Sequence, residues 1–451
     1  MAIVRVTRGP ADLVSPSHVS GGETWRYGLA YPFQVAPRLG GILCNIRREF
    51  GPGVDFEVGS DVVLFDNLRA MGKAFAISRN HEGPNPKTKP PNQPAIMVKY
   101  PIQGGFVPLG AKRTDGSPHP HAGTGFGVVS VQAWPPDDRY VPKRRSGEAA
   151  VYLGRRPYPG VERYEFNELQ QYRFDGSEFR ALKTEAVAFS DLISGWTILN
   201  RGITCAIADG DDLLLPLVGG KEESRSGAGI SRWKHGDNGW RAVSFTPVSG
   251  ADQAFEPSLI RDTDGSLLMC ARGSGEEYYN DVRVWRSTDG GAQWKKIIHA
   301  RGIISSTPVV LNQAADGTPY VVANLNEVLM HPTDPRYRYP VDAQGRTRAG
   351  GWLREKLCLW PLNAGRTELE APILVRDCRA DFGAPPGGTT WNIDHPIAAT
   401  LQLADGAWHN VLAVRVVERG EVTHLMGPTP QTGTYLEEVV SSGTAIPTWR
   451  F

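Results

Sequence analysis

Short apolar runs separated by tight polar turns recur along the chain. The clearest are PSLIRDTDGSLLMCAR around Asp264-Gly265 and PVVLNQAADGTPYVVANL around Asp316-Gly317. IAATLQLADGAWHNVLAVRVV around Asp405-Gly406 and TCAIADGDDLLLPLVGG around Asp209-Gly210 follow the same plan. Each reads as two strands of about five to seven residues joined by a tight Asp-Gly turn. The earlier segments GSDVVLFDN and GKAFAISR repeat the pattern without that turn. No segment carries the periodicity of a three-turn amphipathic helix, which argues against α/β folds and their crossover helices.

Hairpins spread along 451 residues favour radial repetition over a sandwich or a solenoid. At roughly 50–70 residues per four-stranded blade with its loops, the chain holds six or seven blades. The pattern predicts an all-β, six-bladed β-propeller, with seven blades as the alternative. Residues 1–451 read as one domain, with long inter-strand loops near 78–121 and 331–351. Both chain ends are expected in one blade, closing the ring. The site is expected at the axis, on the face bearing the long loops.

Composition narrows the picture. Gly (51) and Pro (35) alternate with strand-like runs, so they mark turns rather than low complexity. The 12 Trp suit blade cores or sugar stacking. A net charge of +1 implies no nucleic-acid partner, and no run of 18 apolar residues spans a membrane. Cys44, Cys205, Cys270, Cys358 and Cys378 are widely spaced with no CxxC pair, as expected of free buried thiols. MAIVRVTRGPADL lacks the apolar core of a leader, so the chain as it stands reads as cytoplasmic; a removed leader would make it periplasmic or secreted. No cofactor is implied, and a structural Ca²⁺ in the central channel stays open, as does a homo-oligomer.

One motif is specific. Ser287-Thr288-Asp289-Gly290-Gly291-Ala292-Gln293-Trp294 fits S-x-D-x-G-x-x-W, and Ser231 to Trp240 is a weaker version. It resembles the Asp-box of sialidase-type β-propellers, a structural turn remote from catalysis. The stretch from Phe255-Glu256-Pro257 to Arg272 is similar to the central blades of that superfamily. The resemblance implies that Glu256 is a carboxylate activating a nucleophilic Tyr, and that Arg272 belongs to an arginine cluster clamping the substrate carboxylate. LGGILCNIRREFGPGVDFEVGSDVVLFD is similar to the family's first blade, which implies a substrate-binding role for Arg47 or Arg48 and an acid/base role for Asp55. The family opens on Arg-Ile-Pro where this chain has Trp25-Arg26-Tyr27. Its last blade carries Trp391-Asn392-Ile393-Asp394-His395-Pro396 in place of a matching Tyr.

Several histidines stand in polar loops, and three readings compete for them: satisfied loop residues, acid/base groups and metal ligands. His119 and His121 are spaced to share one side of an extended segment. In an elimination at a uronate, a basic residue neutralises the carboxylate while His or Tyr moves the protons. His81, His119, His121, Tyr164, Arg180 and Arg272 are the candidates, with His395 as a substrate contact. Some uronate-cleaving lyases resemble such propellers. For hydrolysis the candidates are Asp55 and Glu256, with Glu256 alternatively activating Tyr278 or Tyr279. The favoured reading is an exo-acting, sialidase-like glycosidase on an acidic oligosaccharide or polysaccharide. The alternatives are a lyase cleaving at uronate and a non-catalytic glycan-binding propeller.

Overall fold

The computed structural model describes residues 3–8, 18–20, 23–48, 59–68, 70–79, 83–85, 93–99, 103–134, 164–187, 192, 196–199, 202–221, 227–251, 253–273, 280–305, 307–327, 354–384, 390–419, 431 and 433–445. They form six antiparallel sheets, the blades of a propeller. Blades 1 to 5 take residues 18–79, 83–187, 196–247, 254–300 and 310–377 in turn. Blade 6 takes 390–441 and adds the N-terminal strand Ile3–Arg8 at its edge. That strand pairs with Gly433–Ser441, Val6 lying opposite Val439, so the two ends of the chain close the ring.

The apolar runs become strands buried on both faces, because each blade is covered by its two neighbours. All six residues of Pro319–Asn324 in blade 5 are buried. Leu268 and Val284 of blade 4 pack with Leu311 and Trp360 of blade 5 in one cluster. Phe126 of blade 2 stacks on Trp233 of blade 3 with centroids 4.3 Å apart. Trp233, Trp285 and Trp391 are wholly or almost wholly buried, so these three serve blade packing.

Side-chain and backbone hydrogen bonds join the innermost strands right around the axis. Leu109 N donates to Val35 O, Ala206 N to Gly104 O and Ile203 N to Pro257 O. Leu311 N donates to Ser258 Oγ, Asn312 Nδ2 to Pro396 O and Gln34 Nε2 to Gln402 O. Gly104 is required at its contact: a Cβ there would lie 1.9 Å from Phe126 O.

The turn Ser287–Trp294 is held by its own side chains. Ser287 Oγ donates to Asp289 Oδ1 and accepts from Gly291 N, while Asp289 Oδ1 also accepts from Gln293 N. The Trp294 indole donates to Gly291 O. Gly290 and Gly291 both have positive φ, 74° and 99°, which glycine adopts without strain.

The segment 78–121, expected as a long loop, instead carries the strands Gly83–Asn85, Gln93–Lys99 and Gln103–Phe106 of blade 2. Its Pro and Gly residues hid short strands between turns. The second expected loop, 331–351, lies outside the described residues. All five cysteines are free, and burial pushes the Cys205, Cys270 and Cys358 thiols up to about 12. No helix among the described residues is long and apolar enough to cross a membrane.

Candidate functional site

The inner strand of every blade is interrupted. In blade 1 the ladder slips between Tyr27 and Ala30, and in blade 2 it breaks between Lys99 and Gln103. In blade 3 the strand divides into Trp196–Leu199 and Ile207–Asp209. In blade 5 it runs from an isolated bridge at Ile304 to the strand Val310–Gln313. In blades 4 and 6 the break is a compact bulge, between Phe255 and Ser258 and between Asp394 and Ile397. Bulges re-aim side chains and gather beside functional sites. Here they ring the axis near the start of the inner strands, opposite the Asp-Gly hairpins.

The blade 4 bulge is Glu256-Pro257. Glu256 has φ 52°, a left-handed conformation costly for a residue with a Cβ. Pro257 brings no N–H, so the ladder loses nothing where it slips. Arg272, paired with Phe255 across the ladder, donates from Nη1 to Glu256 Oε2 at 3.2 Å. The Glu256 and Arg272 side chains keep 15% and 12% of their surface, enough to be reached by a ligand. Arg283 holds the entry to this strand, donating from Nη2 to Gln253 O at 2.6 Å. Gln253 is itself left-handed, with φ 58°.

The blade 6 bulge is His395-Pro396, with φ 51° at His395. Asp394 pairs across the ladder with Arg415, which grips it through two hydrogen bonds of 2.8 and 2.9 Å. Arg354 adds a contact of 3.2 Å and the Asn392 amide one of 2.9 Å. Asp394 is fully buried. Burial opposes its ionisation, but Arg415 and the adjacent His395 overcome that and hold the carboxyl well below its usual range. His395 Nδ1 lies 2.9 Å from Asp394 Oδ1, off the line of a hydrogen bond. The two bulges stand at similar height, because Asn312 of blade 5 bonds Pro396 O while its neighbour Leu311 bonds Ser258.

The remaining sequence candidates divide. Asp55, His81, Tyr278 and Tyr279 lie outside the described residues, and so do the side chains of Arg47, Arg48 and Tyr164. His119 and His121 are on the hairpin face, away from Glu256, where they do not join it. His119 Nε2 is 3.6 Å from Asp211, which Arg113 also pairs, and His121 stacks on His235 with centroids 4.2 Å apart. Burial pushes the His119, His121 and His235 imidazoles down, with like charge from His119 adding to it at His121 and from His121 at His235. Arg180 is exposed near the start of the outermost strand of blade 2, paired with Glu178 and Asp175. Of the described elimination candidates, His119 and His121 therefore sit on the hairpin face and Arg180 on the rim, apart from Arg272 and His395 on the inner-strand bulges. Two residues of the same loop share a face in an extended strand, but the chain here turns between them.

Sequence reasoning missed Arg354, Asp394 and Arg415. One signal was available: both Arg272 and Arg415 follow an apolar run that leaves an Asp-Gly turn (DGSLLMCAR and DGAWHNVLAVR). Among the described residues, no group of three or more His, Cys, Asp or Glu is placed to hold a metal ion. An axial cavity of about 320 Å³ lies on the hairpin side. Phe33, Phe106, Cys205, Leu259 and Asn312 contribute to its largely apolar wall.

No family model matches this sequence, and no curated protein matches it. The fold is a six-bladed β-propeller resembling solved sialidase structures at low sequence identity. A leech intramolecular trans-sialidase, complexed with 2,7-anhydro-Neu5Ac, is 11% identical over 96% of this chain and 70% of its own, with a TM-score of 0.51. A Dyadobacter fermentans protein of unknown function is 12% identical over 92% of this chain and 94% of its own, with a TM-score of 0.50. A Trypanosoma rangeli sialidase is 12% identical with a TM-score of 0.46, and the match spans only 53% of it. These likenesses concern architecture.

Proposed function

We propose that this protein is an exo-acting glycoside hydrolase of sialidase-like type whose substrate is an acidic sugar. The observation carrying the reading is the Glu256–Arg272 pair on a strained bulge of an inner strand, mostly desolvated yet accessible. Left-handed backbone at a non-glycine residue, and an ion pair removed from water, both cost stability. A site that binds an anion and moves a proton gives both features a use. Arg272 receives the carboxylate of the sugar, which joins Glu256 on the guanidinium. Glu256, hydrogen-bonded to Arg272, accepts a proton from the attacking group.

The test is product analysis on a panel of sialylated and uronate-containing glycans. Release of a reducing sugar by the native protein, lost in Glu256→Gln, supports the reading. Ultraviolet absorbance from an unsaturated uronate would replace hydrolysis with elimination. Binding without any product would leave a glycan-binding propeller.

A further inference from the structure

Blades 4 and 6 are built alike at the axis. In each, an Asp-Gly hairpin returns to an arginine, and the residue opposite that arginine is followed by a left-handed residue and a proline. The left-handed position is Glu256 in one blade and His395 in the other. In blade 4 the arginine serves the left-handed residue. In blade 6 Arg415 turns to Asp394 and leaves the imidazole for another use. His395 is 8% accessible, and its Nδ1 edge faces the Asp394 carboxylate. Its side chain keeps 9% of its surface while Nδ1 is sealed from solvent, so the accessible part of the ring lies away from Asp394.

We propose that His395, set beside the Asp394 carboxylate on the bulge of blade 6, is the catalytic acid that protonates the departing glycosidic oxygen. The proposal rests on the hydrolase reading above and adds the second proton-transfer group to it. In the step, water attacks the anomeric carbon and gives a proton to Glu256. The bond from that carbon to the glycosidic oxygen breaks, and the oxygen takes the proton from His395 Nε2. One C–O bond forms and one breaks, no electrons change hands, and solvent returns Glu256 and His395 to their starting forms. Asp394, gripped by Arg415 and Arg354 and held well below the usual carboxylate range, fixes the Nδ1 edge of the ring without competing for the proton. The bulge makes this geometry possible, since a regular strand would send adjacent side chains to opposite faces.

A leaving-group comparison tests it. The 4-nitrophenyl glycosides of N-acetylneuraminic, glucuronic and galacturonic acid are set beside disaccharides of the same sugars. Nitrophenolate leaves without a proton, whereas a sugar alkoxide requires one. His395→Gln is expected to lower kcat/KM on the disaccharide about 10²–10⁴-fold and on the aryl glycoside less than about 10-fold. With the native protein, the alkaline limb of the kcat/KM profile should be present for the disaccharide and absent for the aryl glycoside, a readout needing no variant. Equal losses on both substrates, or identical alkaline limbs, would overturn the role of His395. So would the split appearing in Asp55→Asn and not in His395→Gln. A native protein that cleaves none of these substrates would overturn the hydrolase reading itself, and this role with it.

Discussion

In blade 4 the left-handed residue is Glu256, and the arginine across the ladder pairs with it; in blade 6 it is His395, and the arginine pairs instead with Asp394 one residue earlier. The backbones match, with φ 52° and 51° and a proline next in each. The burial does not match. Glu256 and Arg272 retain 15% and 12% of their side-chain surface, against 0% and 2% for Asp394 and Arg415. An ion pair that water or ligand can still reach is suited to exchange partners. A sealed one is committed, and removing either member strands the other. The same bulge thus carries a replaceable partner in one blade and a locked support in the other.

The largest effect expected is on catalysis in blade 4. Glu256→Gln should lower turnover about 10²–10⁴-fold while costing only about 1–2 kcal/mol of stability, checked by paired assays and urea unfolding. Comparable losses of fold and activity would break the contrast. Asp394→Ala should do the reverse first, removing about 3–5 kcal/mol of stability by taking the buried carboxylate from two guanidiniums. Denaturant midpoints measure this directly. A loss as small as that of Glu256→Gln would show that blade 6 is no more locked than blade 4.

Backbone strain should be equal in the two. Glu256→Gly should be about 1 kcal/mol more stable than Glu256→Ala, because only alanine has a Cβ at positive φ. The same gap is expected between His395→Gly and His395→Ala. Unequal gaps in thermal melts would mean that the two bulges are not equivalent.

The smallest effects concern pH, away from the axis. His119, His121 and His235 have depressed pKa values in the fold, burial being the main cause. Their neutral forms are favoured, so stability is complete above the unfolded value of about 6.5 and declines as pH falls below it. His409 has the opposite sign. Its hydrogen bond to Glu438, and then that to Asp405, outweigh burial and raise it. That contribution is complete below about pH 6.5 and is lost as pH rises through the folded value. Melting curves from about pH 5 to about pH 8 should flatten on the acid side in His235→Gln and on the alkaline side in His409→Gln.

Much of the architecture was legible. Alternating apolar runs and Asp-Gly turns are local signals, and six blades with a closing N-terminal strand follow them closely. Glu256 stood out because a carboxylate in AFEPSLI needs a partner, and Arg272 was the expected one. The surroundings of the histidines were not legible, for a specific reason. His119 and His121 look like a paired site in SPHPHAG, yet their neighbours Asp211 and His235 come from a different blade, and no spacing in the text joins them. Asp394 was passed over because acidic residues are common, and its importance comes from Arg354 and Arg415, 40 and 21 positions away.

By itself the sequence determined what is local: where strands start and turn, which residues face a blade core, and which arginines close the hairpins. Period, turn chemistry and apolar burial act over a few residues, so they can be read along a line. Tertiary structure decided the height at which each inner strand breaks and which carboxylate each arginine takes. It also decided which end of the axis a side chain joins. Those choices depend on register slips and on contacts between blades distant in the chain. A one-residue bulge redirects a side chain without leaving a mark in composition.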